Sequence, residues 1–501
     1  MKKIRHLPDT VAAMDLGSNS FHMIVARLEE SGTLSIIDRL QDTVRLGGGL
    51  DKNGNLDEAA QARAFTCLES FAQRICELPQ AAVRIAGTNT LRVAKNSRAF
   101  VKTAERILKH PIEIIEGREE ARLIYLGVAH GLATKEGKRL VVDIGGGSTE
   151  LIIGKSMHPL RRESLYTGCV SSSKRFFDNG KITEKTLKAA ELEAALSLFP
   201  HAEDFHHEQW EEAIGCSGTI KAIRNIVQEE GWCQNGITHD ALLKLRDTVL
   251  KAGDVDKLQL AGLSESRKPV LFGGLAVLLA IFKILNIQQM QVSDEGMREG
   301  LLYDLVGRIT HQDVRDATVE AAMSRWSVDI EQAKRITSTV DRLCDAACHQ
   351  WSIDTEQIKP LLLWASMLHE IGLQVSHDNY HKHGAYILAN ADLPGFSRQE
   401  QALLAALVLC HRSKFRISAF KNLMKPFINP GKHLCVLLRI AVLLHRGRTR
   451  QALPDIGITL RNRSINLSFP TGWLDEHSMT LADLIKEIHY LDAVGYKLSF
   501  E

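Results

Sequence analysis

Two stretches of this chain repeat each other, and their comparison decides the fold: VAAMDLGSNSFHMIVARL (residues 11–28) and LVVDIGGGSTELIIGKSM (residues 140–157). Each runs apolar strand, Asp-x-Gly, a turn of small polar residues and a second apolar strand. Asp15 and Asp143 are 128 positions apart, as are Ser20 and Ser148, and Met23-Ile24-Val25 answers Leu151-Ile152-Ile153 in the following strand. Tight turns recruit Gly, Asn and Ser anywhere. Asp, Gly and Ser recurring at one shared offset require more than turn chemistry, so a duplicated domain is predicted.

Between the copies, residues 83–86 and 112–115 read as strands and 59–76, 97–109 and 119–130 as helices, an α/β alternation. After the second copy, Ala213-Ile214-Gly215-Cys216 leads through Ser217-Gly218-Thr219 into an apolar-periodic run at 220–227, and residues 290–305 repeat that plan. Beyond about Arg308 the texture turns helical, with long periodicities at 329–349, 358–371 and 399–412. Alternating segments at 457–460 and 464–468 restore strand signals. The expected architecture is α/β: lobe I at 1–130, lobe II at 131–308, a helical domain at 309–450 and a small α+β tail at 451–501.

With 501 residues and 45% hydrophobic content the chain is long enough for several domains and too apolar for a disordered one. Its 62 Lys and Arg against 60 Asp and Glu exclude a global design for a polyanion, so any such partner must meet a local patch. Nine scattered cysteines suggest no disulfide framework; Cys344 and Cys348, beside His349, read as buried thiols. The basic start at Lys2, Lys3 and Arg5 is broken before a signal-peptide core forms. The apolar run at 270–282 falls short of the ~20 residues that span a bilayer. A buried helix in a cytoplasmic protein is expected there.

Asp-x-Gly-x-x-Ser turns direct N–H groups and hydroxyls at one point, so two such turns facing each other would cradle phosphate while their carboxylates hold a cation. Asp143 with Gly145, Gly146 and Gly147 is the stronger copy, because glycines let a phosphoryl group approach the backbone. A helix opens at Ser217 and Gly218, whose N–H groups favour an anion. No Walker-type phosphate loop occurs.

DLGSNSF at Asp15, TNTLR at Thr88, GREEARLIYLGV at Gly117, DIGGGSTE at Asp143, GCSGT at Gly215, EGMREGLLYD at Glu295, MLHEIG at Met367 and HKHGAYIL at His381 together resemble the exopolyphosphatase and guanosine pentaphosphate phosphohydrolase family, closer to the former. The resemblance implies two actin-like lobes of the sugar-kinase and heat-shock ATPase type, then a helical HD-like domain. It implies Glu120 as the catalytic carboxylate acting on water, with Glu119 facing away. It further implies Mg²⁺ held by Asp143 and Glu150, with Asp15 as an additional ligand. Phosphate would be bound by Ser18, Asn19, Ser20, Arg92, Gly145, Gly146, Gly147, Ser148 and Thr149, joined by Ser217 and Gly218.

His369-Glu370 stands where an HD-type enzyme carries His-Asp, with His377, His381, His383 and His411 nearby, and structural histidines are the expectation there. Residues 411–450 hold ten positive charges without one Asp or Glu. Arg412, Lys414, Arg416, Lys421, Lys425 and Arg439 are the expected polyanion track; a nucleic-acid partner is the other use of such a patch. The leading expectation is processive, Mg²⁺-dependent removal of terminal orthophosphate from polyphosphate. The alternative is hydrolysis of guanosine pentaphosphate, followed by an actin-like kinase or ATPase and by a catalytically silent polyphosphate sensor. A homodimer and a cytoplasmic location, with peripheral attachment to the inner membrane as a variant, complete the expectation.

Overall fold

The computed structural model describes residues 8–29, 34–132, 137–310, 313–351, 353, 358–421, 423–424, 427–449 and 451–501. The chain divides into two compact units, Met1–Asp313 and Val314–Glu501.

The first unit contains two sheets of one design. Strands β1 (Thr10–Leu16), β2 (Phe21–Leu28), β3 (Leu34–Asp42), β4 (Val83–Gly87) and β5 (Glu113–Ile114) make the first, in the order β3-β2-β1-β4-β5. Strands β6 (Lys138–Ile144), β7 (Thr149–Lys155), β8 (His158–Leu165), β9 (Glu212–Cys216), β10 (Ile237–Thr238) and β11 (Gln289–Val292) make the second, in the order β10-β11-β9-β6-β7-β8. Each begins with a three-stranded antiparallel meander, and the next strand, β4 or β9, runs parallel to its first strand. Even the irregularity repeats: the register shifts at Val25/Ala26 in β2 and at Ile153/Gly154 in β7. The duplication read from two turns therefore extends to whole lobes.

The outer strands β3 and β8 escaped the sequence reading because polar residues dilute the alternation of strands that are mostly exposed in β3 and largely half-buried in β8. The apolar run became the helix Leu271–Leu285, buried from Leu271 to Phe282. A helix that is apolar all round must be buried all round. Lys268–Leu285 is apolar enough to pass as a membrane span, yet 78% of it is inside this unit, which identifies it as a core helix.

The helices Gly117–Gly131 and Met297–Ile309 cross at glycines. A methyl group on Gly300 would lie 1.8 Å from the Leu123 carbonyl oxygen, and one on Gly127 2.0 Å from that of Gly296. Beside the crossing, buried Asp304 receives Arg84, Arg122 and Arg308. Their charges hold its carboxyl far below the ordinary range against the opposing effect of burial. Glu119 belongs to this network, ion-paired with Arg122 at 2.8 Å and not among the cleft-lining residues.

In the second unit, the helices Ile330–Trp351, Lys359–Leu368, Tyr380–Asn390, Arg398–Cys410 and Ile428–Leu444 share one core with Ile465, Leu467 and Leu498 of a small sheet and Leu484 of the helix Ser478–Asp492. That sheet is β12 (Gly457–Arg461), β13 (Ser464–Ser468) and β14 (Lys497–Phe500), with β13 and β14 parallel. All nine cysteines are free thiols. Cys344 is buried, while Cys348 is half-buried and donates to the Asp345 carbonyl.

Candidate active site

The two glycine turns meet face to face. A methyl on Gly146 would lie 2.9 Å from Ser18 Cβ and 3.2 Å from Asn19 N, and one on Gly147 2.5 Å from Asn89 Oδ1. Only glycine permits this backbone approach. The second loop is pinned from below, where the amides of Cys169 and Val170 donate to the Gly145 and Gly146 carbonyls at 2.9 Å each. The first is pinned by Thr90 Oγ1, which donates to Ser18 Oγ at 2.7 Å, and by the Gly47 amide on Ser18 O at 2.8 Å.

A cleft of about 350 Å³ opens at these turns. Asp15, Glu120 and Asp143 line it, with Ser18, Asn19, Ser20, Gly145, Gly146, Ser148, Ser217 and Gly218. Strand register explains the carboxylates. Asp143 on β6 is directly opposite Glu150 on β7, and Asp15 on β1 is opposite His22 on β2. Opposed residues bring their Cβ atoms to about 5 Å. The second lobe therefore pairs two acids where the first pairs an acid with a histidine.

Crowded, buried carboxylates resist ionisation. Burial, then the charges of Glu120 and Asp143, raise the Asp15 carboxyl well above its ordinary range. Burial raises Asp143 to about 6, although the Cys216 thiol donates to its Oδ2 at 3.2 Å and Lys221 is near. Burial with Glu120 and Asp143 raises Glu150 well above the usual glutamate range, although Ser164 Oγ donates to it at 2.8 Å. Glu120 is raised by burial, partly offset by Arg92. Asp15 Oδ1 is buried without a hydrogen-bond partner.

Several expected phosphate ligands, and the expected metal ligand Glu150, stand behind the cleft surface. Arg92 donates from Nη1 to Glu120 Oε2 at 3.2 Å and to the Ile115 carbonyl at 2.8 Å, so it orients the glutamate. Thr149 is fully buried and its hydroxyl donates to the Thr167 carbonyl at 2.7 Å, a strand-to-loop tie. Gly147 packs on Asn89, and Glu150 is 1% exposed beneath the floor. These four do not line the cleft.

Among the other cleft residues, Arg267 and Lys221 carried no readable signal. Arg267 lines it beside Gly218, where a methyl would meet the guanidinium at 1.9 Å. Lys221 and Arg298 add two more positive charges, and Arg298 Nη1 donates to His22 Nδ1 at 3.4 Å. Burial and those neighbouring cations push the His22 imidazole down to about 3, so it stays neutral. Ser217 adopts φ +84°, a left-handed setting costly for serine, and its buried Oγ lacks a partner. Such strain clusters where ligands are held.

In the second unit the expected polyanion track is corrected. Lys414, Arg416 and Lys421 are exposed, and Arg412 is half-buried, its guanidinium 4.7 Å over the Tyr380 ring. Arg439 is buried. It bonds Glu487 through Nε and Nη2, at 2.5 and 2.8 Å, and caps the carbonyls of Cys410 and Ser413, so it is a core ion pair. Arg446 pairs with Asp483, and Arg448 with Asp329 and Glu370. The acids that neutralise the segment come from other parts of the chain, which a count within 411–450 misses. Lys425 lies outside the described residues, as does Arg450.

Among the histidines, His369, His381 and His411 are buried, His383 is half-buried and His377 is exposed. Among the described residues, the group whose ligand atoms come within reach of one ion is His206, His207 and Glu208 on the first unit.

Residues 24–309 match the model described as Ppx/GppA phosphatase family, and residues 314–488 the one described as Ppx/GppA phosphatase, domain III. A guanosine-5'-triphosphate,3'-diphosphate pyrophosphatase of Aeromonas hydrophila subsp. hydrophila is 37% identical over 491 residues, 98% of each chain. One of Pseudoalteromonas translucida is 36% identical over 498 residues, 99% of each. Of solved structures, an exopolyphosphatase from Cytophaga hutchinsonii is similar in fold, with a TM-score of 0.54 and 24% identity over 59% of this chain and 97% of that one. The relatives similar along the whole chain thus carry the guanosine name, so the balance moves from the leading expectation to its alternative. Because the family models run from residue 24 to 488 and the relatives match end to end, the chain belongs to the Ppx/GppA phosphatase family and is a phosphoanhydride hydrolase.

Proposed function

We propose that this chain removes the terminal 5'-phosphate of guanosine 5'-triphosphate 3'-diphosphate. The observation that carries the chemistry is Glu120, buried at the cleft with raised proton affinity and oriented by Arg92. A carboxylate whose pKa is moved towards neutrality is a competent general base. The water oxygen attacks the terminal phosphorus, its proton passes to Glu120, and the bond to the bridging oxygen breaks. Orthophosphate and guanosine tetraphosphate leave.

Arg267, Lys221 and Arg298 supply positive charge along the cleft for the phosphate oxygens, as phosphoryl transfer requires. Ser18, Asn19, Ser20, Gly145, Gly146, Ser148, Ser217 and Gly218 are the phosphate-binding residues of this reading. The orphaned Asp15 Oδ1 and the mutually repelling acids fit a hard divalent ion, so Asp143, Glu150 and Asp15 are the residues that would hold Mg²⁺. When bound, it adds charge neutralisation at the phosphate.

The substrate is argued from the relatives named for it, similar over 98–99% of this chain. Polyphosphate is the second reading, favoured by the exposed Lys414, Arg416 and Lys421. Orthophosphate release from guanosine pentaphosphate and from long-chain polyphosphate, at equal phosphoanhydride concentration with Mg²⁺, separates them. Higher kcat/KM on the polymer would overturn the proposal. A homodimer and a cytoplasmic location belong to the same reading and are checked by light scattering and cell fractionation.

A further inference from the structure

The cluster of side chains around His369 and Glu370 in the second unit holds more lone pairs than protons. His369 Nδ1 lies 2.7 Å from the Ser366 carbonyl oxygen and His411 Nδ1 2.6 Å from that of Val408. A carbonyl can only accept, so each ring carries its proton on Nδ1 and turns a bare Nε2 away from it. His411 Nε2 has the Tyr380 hydroxyl at 3.3 Å. His369 Nε2 has no hydrogen bond, nor has Glu370 Oε2, and both residues are buried. The two rings stand at 89° with centroids 5.5 Å apart, and His369 Nε2 is 3.7 Å from Glu370 Oε1.

Imidazoles whose tautomer is set by backbone carbonyls, next to a buried carboxylate, form a donor set suited to a transition metal. An HD-type ion does not fit here as the side chains stand. Glutamate replaces the expected aspartate, and His369, Glu370 and His411 do not bring three ligand atoms within reach of one ion. Arg448 occupies the carboxylate as well. Its Nη2 bonds Glu370 Oε1 and its Nη1 bonds Asp329 Oδ2 at 3.0 Å. Arg448 takes φ +52°, a left-handed setting costly for arginine.

We propose that the Arg448 guanidinium is the built-in cation of this cluster, standing where the fold would otherwise hold a metal ion. A guanidinium never deprotonates, so it neutralises Glu370 and Asp329 at any working pH and needs no loading. The cluster is thereby committed to a structural role.

Cobalt(II) titration of the full-length protein, followed by visible absorption, tests this, since nitrogen ligands at low coordination give a band that an all-oxygen site does not. The wild-type chain and Arg448→Lys, which keeps the charge, should give the same titration as their His411→Ala derivatives. Arg448→Ser should gain a site bound about thirtyfold tighter or more, the bulk-water limit for removing a unit charge about 4 Å from a divalent ion. His411→Ala should abolish that gain. A cobalt band in the wild type that His411→Ala removes would overturn the proposal, as would no gain in Arg448→Ser. Should Arg448→Ser not fold, Arg448→Gln takes its place, with the same two overturning results.

Discussion

Replacing Asp143 with Asn should stabilise the metal-free protein at neutral pH. The carboxyl has its pKa raised from about 3.9 to about 6 by burial, so ionising it in the folded state is unfavourable. Two pKa units at about 1.4 kcal/mol each give about 3 kcal/mol. The carboxylate opens on the cleft, and water there reduces this to about 1–3 kcal/mol. The sign follows from linkage. The folded protein holds this proton more tightly than the unfolded chain, so the favourable contribution is complete below about pH 4 and lost as pH rises through about 6. Asparagine has the same shape, and its oxygen can still accept from the Cys216 thiol, now 3.2 Å from Asp143 Oδ2. In EDTA at pH 7.5 the variant's first unfolding transition should lie a few degrees above the wild type's, and at pH 4 the two should coincide. Mg²⁺ should raise the wild type more than the variant. A variant no more stable at pH 7.5, or equally stabilised at both pH values, would refute the picture of a strained acid cluster awaiting a cation.

Glu120→Gln keeps the size and removes the base, so kcat should fall at least ~10²-fold with substrate still bound; near-normal turnover in a stopped phosphate-release assay would exclude Glu120 from that role. Gly218→Ala should displace the guanidinium end of Arg267, raising KM for guanosine pentaphosphate while the melting temperature holds; an unchanged KM would remove Arg267 from substrate binding. Gly300→Ala drives a methyl into the Leu123 carbonyl at a backbone crossing and should cost about 1–3 kcal/mol or more in urea unfolding. Neutralising Arg412, Lys414 and Arg416 together should leave KM for guanosine pentaphosphate unchanged; a rise confined to long polyphosphate, with a shallower salt dependence, would favour the polymer reading.

Much of the first unit was legible because its signals are local. The apolar strands flanking each Asp-x-Gly turn, the strand-glycine-helix units at 212–229 and 289–309, and the wholly apolar helix at 271–285 each carry their periodicity within a dozen residues or so. The cleft was legible in the turns, whose residue types are demanded by close backbone approach, while Glu120 came only from the family resemblance. Arg267, Lys221 and His22 were not legible. Nothing near Arg267 in its own segment marks it, and only packing against Gly218 turns an ordinary surface arginine into a cleft residue.

Tertiary structure alone decided the charges. In the sequence, residues 411–450 are ten cations without an acid; in the fold, Glu487, Asp483, Asp329 and Glu370 arrive from other elements, turning Arg439 into a buried pair and Arg446 and Arg448 into bridges. Thr149 and Arg92, named for phosphate, became a strand tie and the orienter of Glu120 by the same kind of long-range pairing. By itself the sequence determined the duplicated lobes and the glycine turns with their aspartates, because strand pattern and turn chemistry act over a few residues. Whether Arg439, Arg446 and Arg448 face solvent or an acid depends on partners 37 or more positions away, and only the packed chain brings those together.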